Sequence, residues 1–204
     1  MSSLICHYWN MDGTLIMRYV RNFLPWIAFV VISARSDWRY AAVIALVVSV
    51  WLLWSQRTAG RRWDALVIET SSLAFFVAVG LFAFAVPASP LRIYAPALAL
   101  GWLALTAWGS LAAGRPFTLG IAQETTPRHL QGTAFFRRVN SVITAAWACS
   151  FTLTAAVLAL VLHLAPEAAL AVLAIKAVGF AIPLAFTRWY PAAARGRHDT
   201  PQSV

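Results

Sequence analysis

Five runs of apolar residues dominate this chain: Trp38–Trp54, Ala65–Val86, Ile93–Ala113, Val139–Leu164 and Glu167–Thr187. A hydrocarbon core of ~30 Å takes about 20 residues of helix to cross. Runs of this length leave one class of object, an all-α integral membrane bundle. Composition agrees: 61% of the 204 residues are hydrophobic and 11% are charged, where soluble domains carry about 25% charge. The longest polar stretch, Gly114–Arg138, is too short to build a core of its own.

A sixth run, Phe23–Ala34, is short. It reaches spanning length only if Leu15–Asn22 continues the helix. In that extension Leu15, Ile16, Tyr19, Val20, Phe23 and Leu24 share one face, and Arg18 and Arg21 reach headgroups from the other. The expected organisation is therefore an N-terminal segment over 1–22 with an amphipathic entry, a six-span membrane domain over 23–190, and a polar tail over 191–204. Ser2–Asp12 lacks the basic start and apolar core of a cleavable signal, and Met11 or Met17 are alternative starts.

Basic residues orient the bundle. With six spans, twelve Arg fall on one side and three, Arg35, Arg39 and Arg92, on the other. Positive charge gathers on the cytoplasmic side, so both termini and the loop at 114–138 are expected there. If the first run does not span, the ratio becomes ten to five and only the N-terminal side changes. The net charge of +9 follows from this asymmetry; no basic run exceeds two residues, so nucleic acid is not the expected partner. Trp and Tyr crowd the segment ends (Trp26, Trp38, Tyr40, Trp51, Trp54, Trp63, Tyr94, Trp189 and Tyr190), as an interfacial belt would.

Few residues invite chemistry. Lys176 lies mid-run in Ala168–Phe186, where hydrocarbon cannot solvate an ammonium. Gly179 and Pro183 share its face, and Pro183 frees the Gly179 carbonyl from its helix bond. Glu69, the one carboxylate inside a run and away from its mouth, is the natural partner. Lys176, Gly179, Pro183 and Glu69 thus form a candidate intramembrane polar site for an anionic lipid, an ion or a partner carboxylate, against a purely structural pair or a snorkelling lysine. A proton relay at Glu69 is a further reading.

Asn140, Thr144, Ala148, Thr152 and Ala156 stand at i+4 intervals and suit close helix packing, with Ala177, Ala181 and Ala185 as the matching stripe. The loop at 114–138 is long for a bundle turn. Its apolar residues, Phe117, Ile121, Ala122, Leu130, Phe135 and Phe136, are expected to lie on the membrane. Arg115, Arg128, Arg137 and Arg138 then meet anionic headgroups or a partner protein. The four histidines are dispersed, Cys6 and Cys149 are set for no disulfide, and no metal-ligand spacing, nucleophile elbow or phosphate loop occurs. No cofactor, metal or catalytic residue is expected.

Several motifs recur in one order: Phe23-Leu24-Pro25 before a short apolar run, Gly114-Arg115-Pro116-Phe117, Gln123-Glu124 with Pro127, Asn140 opening the next run, and Ile175-Lys176-Ala177-Val178-Gly179. Over roughly Arg21–Tyr190 the chain resembles the bacterial intracellular septation protein A family and its relatives, small inner-membrane proteins of the cell envelope. The resemblance implies a multi-pass, non-enzymatic protein supporting envelope integrity or division-linked machinery through other membrane proteins. A second copy of the chain is among the partners this allows. Two readings stand beside it: a small transporter or channel subunit using Lys176 and Glu69, and an intramembrane enzyme acting on a lipid or prenyl substrate.

Overall fold

The computed structural model describes residues 17, 20–33, 37–124 and 126–198. Most of the amphipathic entry expected over 1–22, and the tail beyond His198, lie outside them. The described residues are helical, with no strand among them. Among the described residues eight α-helices follow in this order: α1 Leu24–Ser33, α2 Trp38–Thr58, α3 Val67–Ala85, α4 Ala95–Ala112, α5 Phe117–Gln123, α6 Arg128–Gln131, α7 Ala134–Leu164 and α8 Ala169–His198. Five of these, α2, α3, α4, α7 and α8, are long and apolar enough to cross a membrane.

Helix ends follow local chemistry. The Asp37 carboxylate accepts the Arg39 N–H (3.0 Å) and caps α2. Thr133 caps α7 by accepting the Phe136 N–H at 3.2 Å. At the other end of α2, Gly60 takes the left-handed φ of 79° and turns the Arg61 N–H onto the Gln56 carbonyl (3.1 Å). Gly114, at φ 67°, repeats this after α4 and puts the Arg115 N–H on the Ser110 carbonyl (2.8 Å). Both glycines stand at one end of the bundle, and each is followed by an arginine. This is the basic end.

The buried face of α1, Pro25, Trp26 and Phe29, together with Phe23 just before it, lies in the core of the bundle. Phe23 stacks on Trp147 of α7 (5.4 Å between centroids) and meets Phe180 of α8 edge-on. Trp26 stacks on Phe75 of α3 (4.9 Å) and donates its indole N–H to Ser72 (2.7 Å). Phe29 is fully buried beside Phe76. Pro25 is the second residue of α1, where its missing N–H costs no helix bond. Around this aromatic core α2 packs on α1 and α3, and α7 on α4 and α8. Trp26, Trp38 and Trp147 are therefore core residues. Trp26 and Trp38 do not stand in the expected belt, whereas Trp51, Trp54, Trp63 and Trp189 are exposed.

Part of the loop at 114–138 is drawn into the bundle, so four of the six apolar residues expected to lie on the membrane are not free to do so. Phe117, Ile121, Ala122 and Phe136 are buried, because α5 folds into the basic end against α7 and the Trp63–Ala65 turn. Phe117 meets Trp147 edge-on. The Thr118 hydroxyl bonds the Asn140 carbonyl (3.0 Å) and pairs with Thr144 (2.8 Å). At Gly120 a Cβ would collide with the Ala65 backbone, so only glycine lets the two segments touch.

The i+4 stripe also departs from expectation. Four residues turn a helix about 40° past a full circle, so the row drifts. Asn140, Thr144 and Ala148 are buried, but Thr152 and Ala156 are exposed. The row faces α5 and α4: Thr152 accepts the Trp108 N–H at 3.2 Å. Ala177, Ala181 and Ala185 face outward. The face of α8 that meets α7 carries Gly179, Pro183, Thr187 and Pro191 instead. Thr187 accepts the Trp147 N–H (3.0 Å), and a Cβ at Gly179 would collide with the Thr154 side chain.

Candidate functional site

Two polar arrangements stand out, one in each half of the bundle. The first is at the basic end. Gln56 lies near the end of α2 and Glu69 near the start of α3; both are buried, and the Gln56 amide donates to the Glu69 carboxylate at 2.8 Å. The same amide nitrogen stands 3.4 Å from the buried Asn22 carbonyl oxygen. Next to this chain of groups is Glu124, which follows α5. Arg21 donates to both Glu124 oxygens (3.0 and 3.1 Å), and Arg61 makes a second ion pair with it. Arg61 also donates to the Gly120 carbonyl at 2.7 Å, and its own carbonyl accepts from Arg57, whose guanidinium lies over the Trp63 ring.

One carboxylate thus ties together the entry to α1, the turn after α2 and the buried loop helix. Low water access strengthens such charge-assisted bonds, and removing one partner would strand the others. Arg115, Arg128, Arg137 and Arg138 are not drawn into this lock. All four are exposed on the same end.

The second arrangement holds Lys176. A cleft of about 240 Å³ opens between α1, α4 and α8, in the half of the bundle away from the basic end. Trp26, Val30, Leu100, Leu103 and Phe180 form its walls, and Lys176 is the one charged residue lining it. Among the described residues Lys176 makes no hydrogen bond or ion pair.

The expected pairing of Lys176 with Glu69 is not made. Glu69 bonds Gln56, and the charges that act on it are Arg61, Glu124 and Arg21. The reason is the position of Phe23 and α1: Trp26 of α1 packs on α3, and Phe23 just before it packs on α8. The Gly179 carbonyl freed by Pro183 is not bonded to Lys176 either; it accepts the Ser150 hydroxyl at 2.7 Å. Pro183 offers its own carbonyl to Thr187 (2.7 Å). The four residues of the candidate polar site are therefore divided: Gly179 and Pro183 serve the α7–α8 contact, Glu69 the basic end, and Lys176 the cleft.

Asn22, Gln56, Arg61 and the pairing role of Arg21 and Glu124 were missed by sequence reasoning. The available signal was a lone amide, Gln56, close behind an apolar run. Among the described residues no cluster of His, Cys, Asp and Glu could hold a metal ion. Comparison with family models, curated proteins and solved structures gives no match.

Proposed function

We propose that this chain is a six-span protein of the bacterial inner membrane that works by contact. Its basic end faces the cytoplasm and meets anionic headgroups and other membrane proteins, in support of envelope integrity or division-linked machinery. The observation that carries the contact reading is the clamped loop. With Glu124 held by Arg21 and Arg61, α5 is fixed in the bundle, while Arg115, Arg128, Arg137 and Arg138 are left exposed on one end. Each arginine near an anionic surface adds about 1 kcal/mol of attraction. The envelope role is supported by the ordered motifs between Phe23 and Gly179.

The sixth crossing is supported by the path of the chain. Arg21 bonds Glu124 at the basic end, and Asp37 feels Arg92 beyond the far end of α1. The cytoplasmic assignment follows from the concentration of arginine there.

A charge-neutral variant tests the contact reading. Arg115, Arg128, Arg137 and Arg138 are changed together to Gln, and a photo-crosslinking residue is set at Leu130 in both chains. Insertion and thermal stability are expected to match the parent, with crosslinks to membrane proteins lost and complementation of a deletion strain lost with them. Full complementation by the neutral variant would overturn the proposal. So would an all-or-none loss of activity on changing His129 or His163 alone with the crosslinks intact, which would point to an enzyme.

A further inference from the structure

We infer that the cleft between α1, α4 and α8 is a binding site for a long-chain monocarboxylate, with the carboxylate on Lys176 and the tail along the apolar walls. The inference rests on the Lys176 cleft and is independent of the basic end.

Lys176 is the seventh residue after Ala169, about 10 Å along the helix axis from the start of α8. In a helix the Cα–Cβ bond tilts toward the helix N-terminus, so that of Lys176 is directed toward the start of α8. Around it the lining is apolar, with Val31, Leu100, Leu103, Leu173 and Phe180 among the residues that form it. A cation so placed costs insertion energy unless something compensates it. Glu69 bonds Gln56 and the Gly179 carbonyl bonds Ser150, and among the described residues neither is bonded to Lys176.

The chemistry of the occupant follows from what the cleft offers. The ammonium supplies one positive charge and up to three donors. The other side-chain donor in the lining, the Trp26 indole N–H, is taken by Ser72. One charge in apolar surroundings matches a singly charged acid with an apolar tail. A phosphodiester lipid would bring ester and phosphate oxygens with no further donor to meet them. A neutral lipid would leave the ammonium uncompensated.

The test uses the full chain in nanodiscs of zwitterionic phosphatidylcholine, with a palmitate analogue carrying a diazirine in its tail. Saturable labelling is expected on peptides containing Leu103 and Phe180. Unlabelled palmitate should displace it, and hexadecanol, which keeps the tail and loses the charge, should not. Lys176→Met should weaken binding about tenfold or more, the worth of one charge-assisted bond, and Lys176→Arg should keep most of it. Thermal melting confirms that each variant is folded. Equal labelling of the Met variant, equal competition by hexadecanol, or absence of saturable labelling would each overturn the inference. Displacement by phosphatidylglycerol as effective as by palmitate would overturn it in favour of a phospholipid site.

Discussion

The two halves of the bundle treat charge in opposite ways. At the basic end a half-buried carboxylate has two arginines, a buried glutamate has an amide, and a loop helix is drawn in to complete the set. In the other half a lysine lines an apolar cleft with no partner among the described residues. Polar groups in low dielectric are either satisfied by the fold or held available for something outside it. The first arrangement has the character of a lock and the second of a site. If that contrast is correct, substitutions in the two halves will differ in sign as well as in size.

The largest loss is expected at Glu124. Glu124→Ala leaves Arg61 and Arg21 facing each other without their anion, and should lower stability by about 3 kcal/mol, most of it from the shielded Arg61 pair because Arg21 is more exposed. Steric-trap unfolding in lipid discs would read this, and a loss no greater than that of an exposed substitution such as Leu170→Ala would break the comparison. Gly120→Ala comes next, because its Cβ meets the Ala65 backbone, which cannot rotate away. About 2 kcal/mol is expected from such overpacking. Gly179→Ala meets only the Thr154 side chain; it should cost less, near 1 kcal/mol, and a reversed order would show that α5 is not held as described. Lys176→Met should cost nothing or stabilise the bundle, since it removes an uncompensated cation. A marked loss at Lys176 would mean the lysine is structural after all.

How much of this was legible in the sequence depends on distance along the chain. Apolar runs are local, and five of them returned as long helices within a few residues of the expected ends, apart from the extensions of α7 back to Ala134 and α8 on to His198. The shortness of α1 was also legible; its central burial was not, because burial depends on neighbours. Lys176 and Glu69 were singled out correctly as charges in apolar runs, yet their pairing assumed that α3 and α8 touch. Which helices touch was decided by Phe23, Trp26 and Phe29, which sequence reading had counted as ordinary apolar or interfacial residues. The loop misled for a similar reason. Phe117 and Ile121 look membrane-facing in isolation, and only Gly120, Thr118 and Glu124 together show that α5 can enter the bundle.

The smallest effect is expected at the end of the molecule away from the lock. The Arg39 side chain and N–H hold the Asp37 carboxyl below the usual carboxylate range. Its stabilising contribution to the start of α2 is complete above the ordinary carboxylate pKa and is lost as pH falls through the lowered one. Asp37 is half-exposed at the helix start, so Asp37→Asn should bring only a slight fraying, visible as faster amide exchange at Arg39 and Tyr40. Exchange that is fast in the parent at neutral pH would remove the cap from the account.

The contrast between lock and site is tested most directly by two double-mutant cycles on stability measured side by side. Arg61→Ala with Glu124→Ala probes a pair in contact, and Lys176→Met with Glu69→Gln probes the pair the sequence alone would have chosen. The account expects a coupling of about 2 kcal/mol in the first cycle and none beyond error in the second. Coupling between Lys176 and Glu69, with additivity between Arg61 and Glu124, would contradict it.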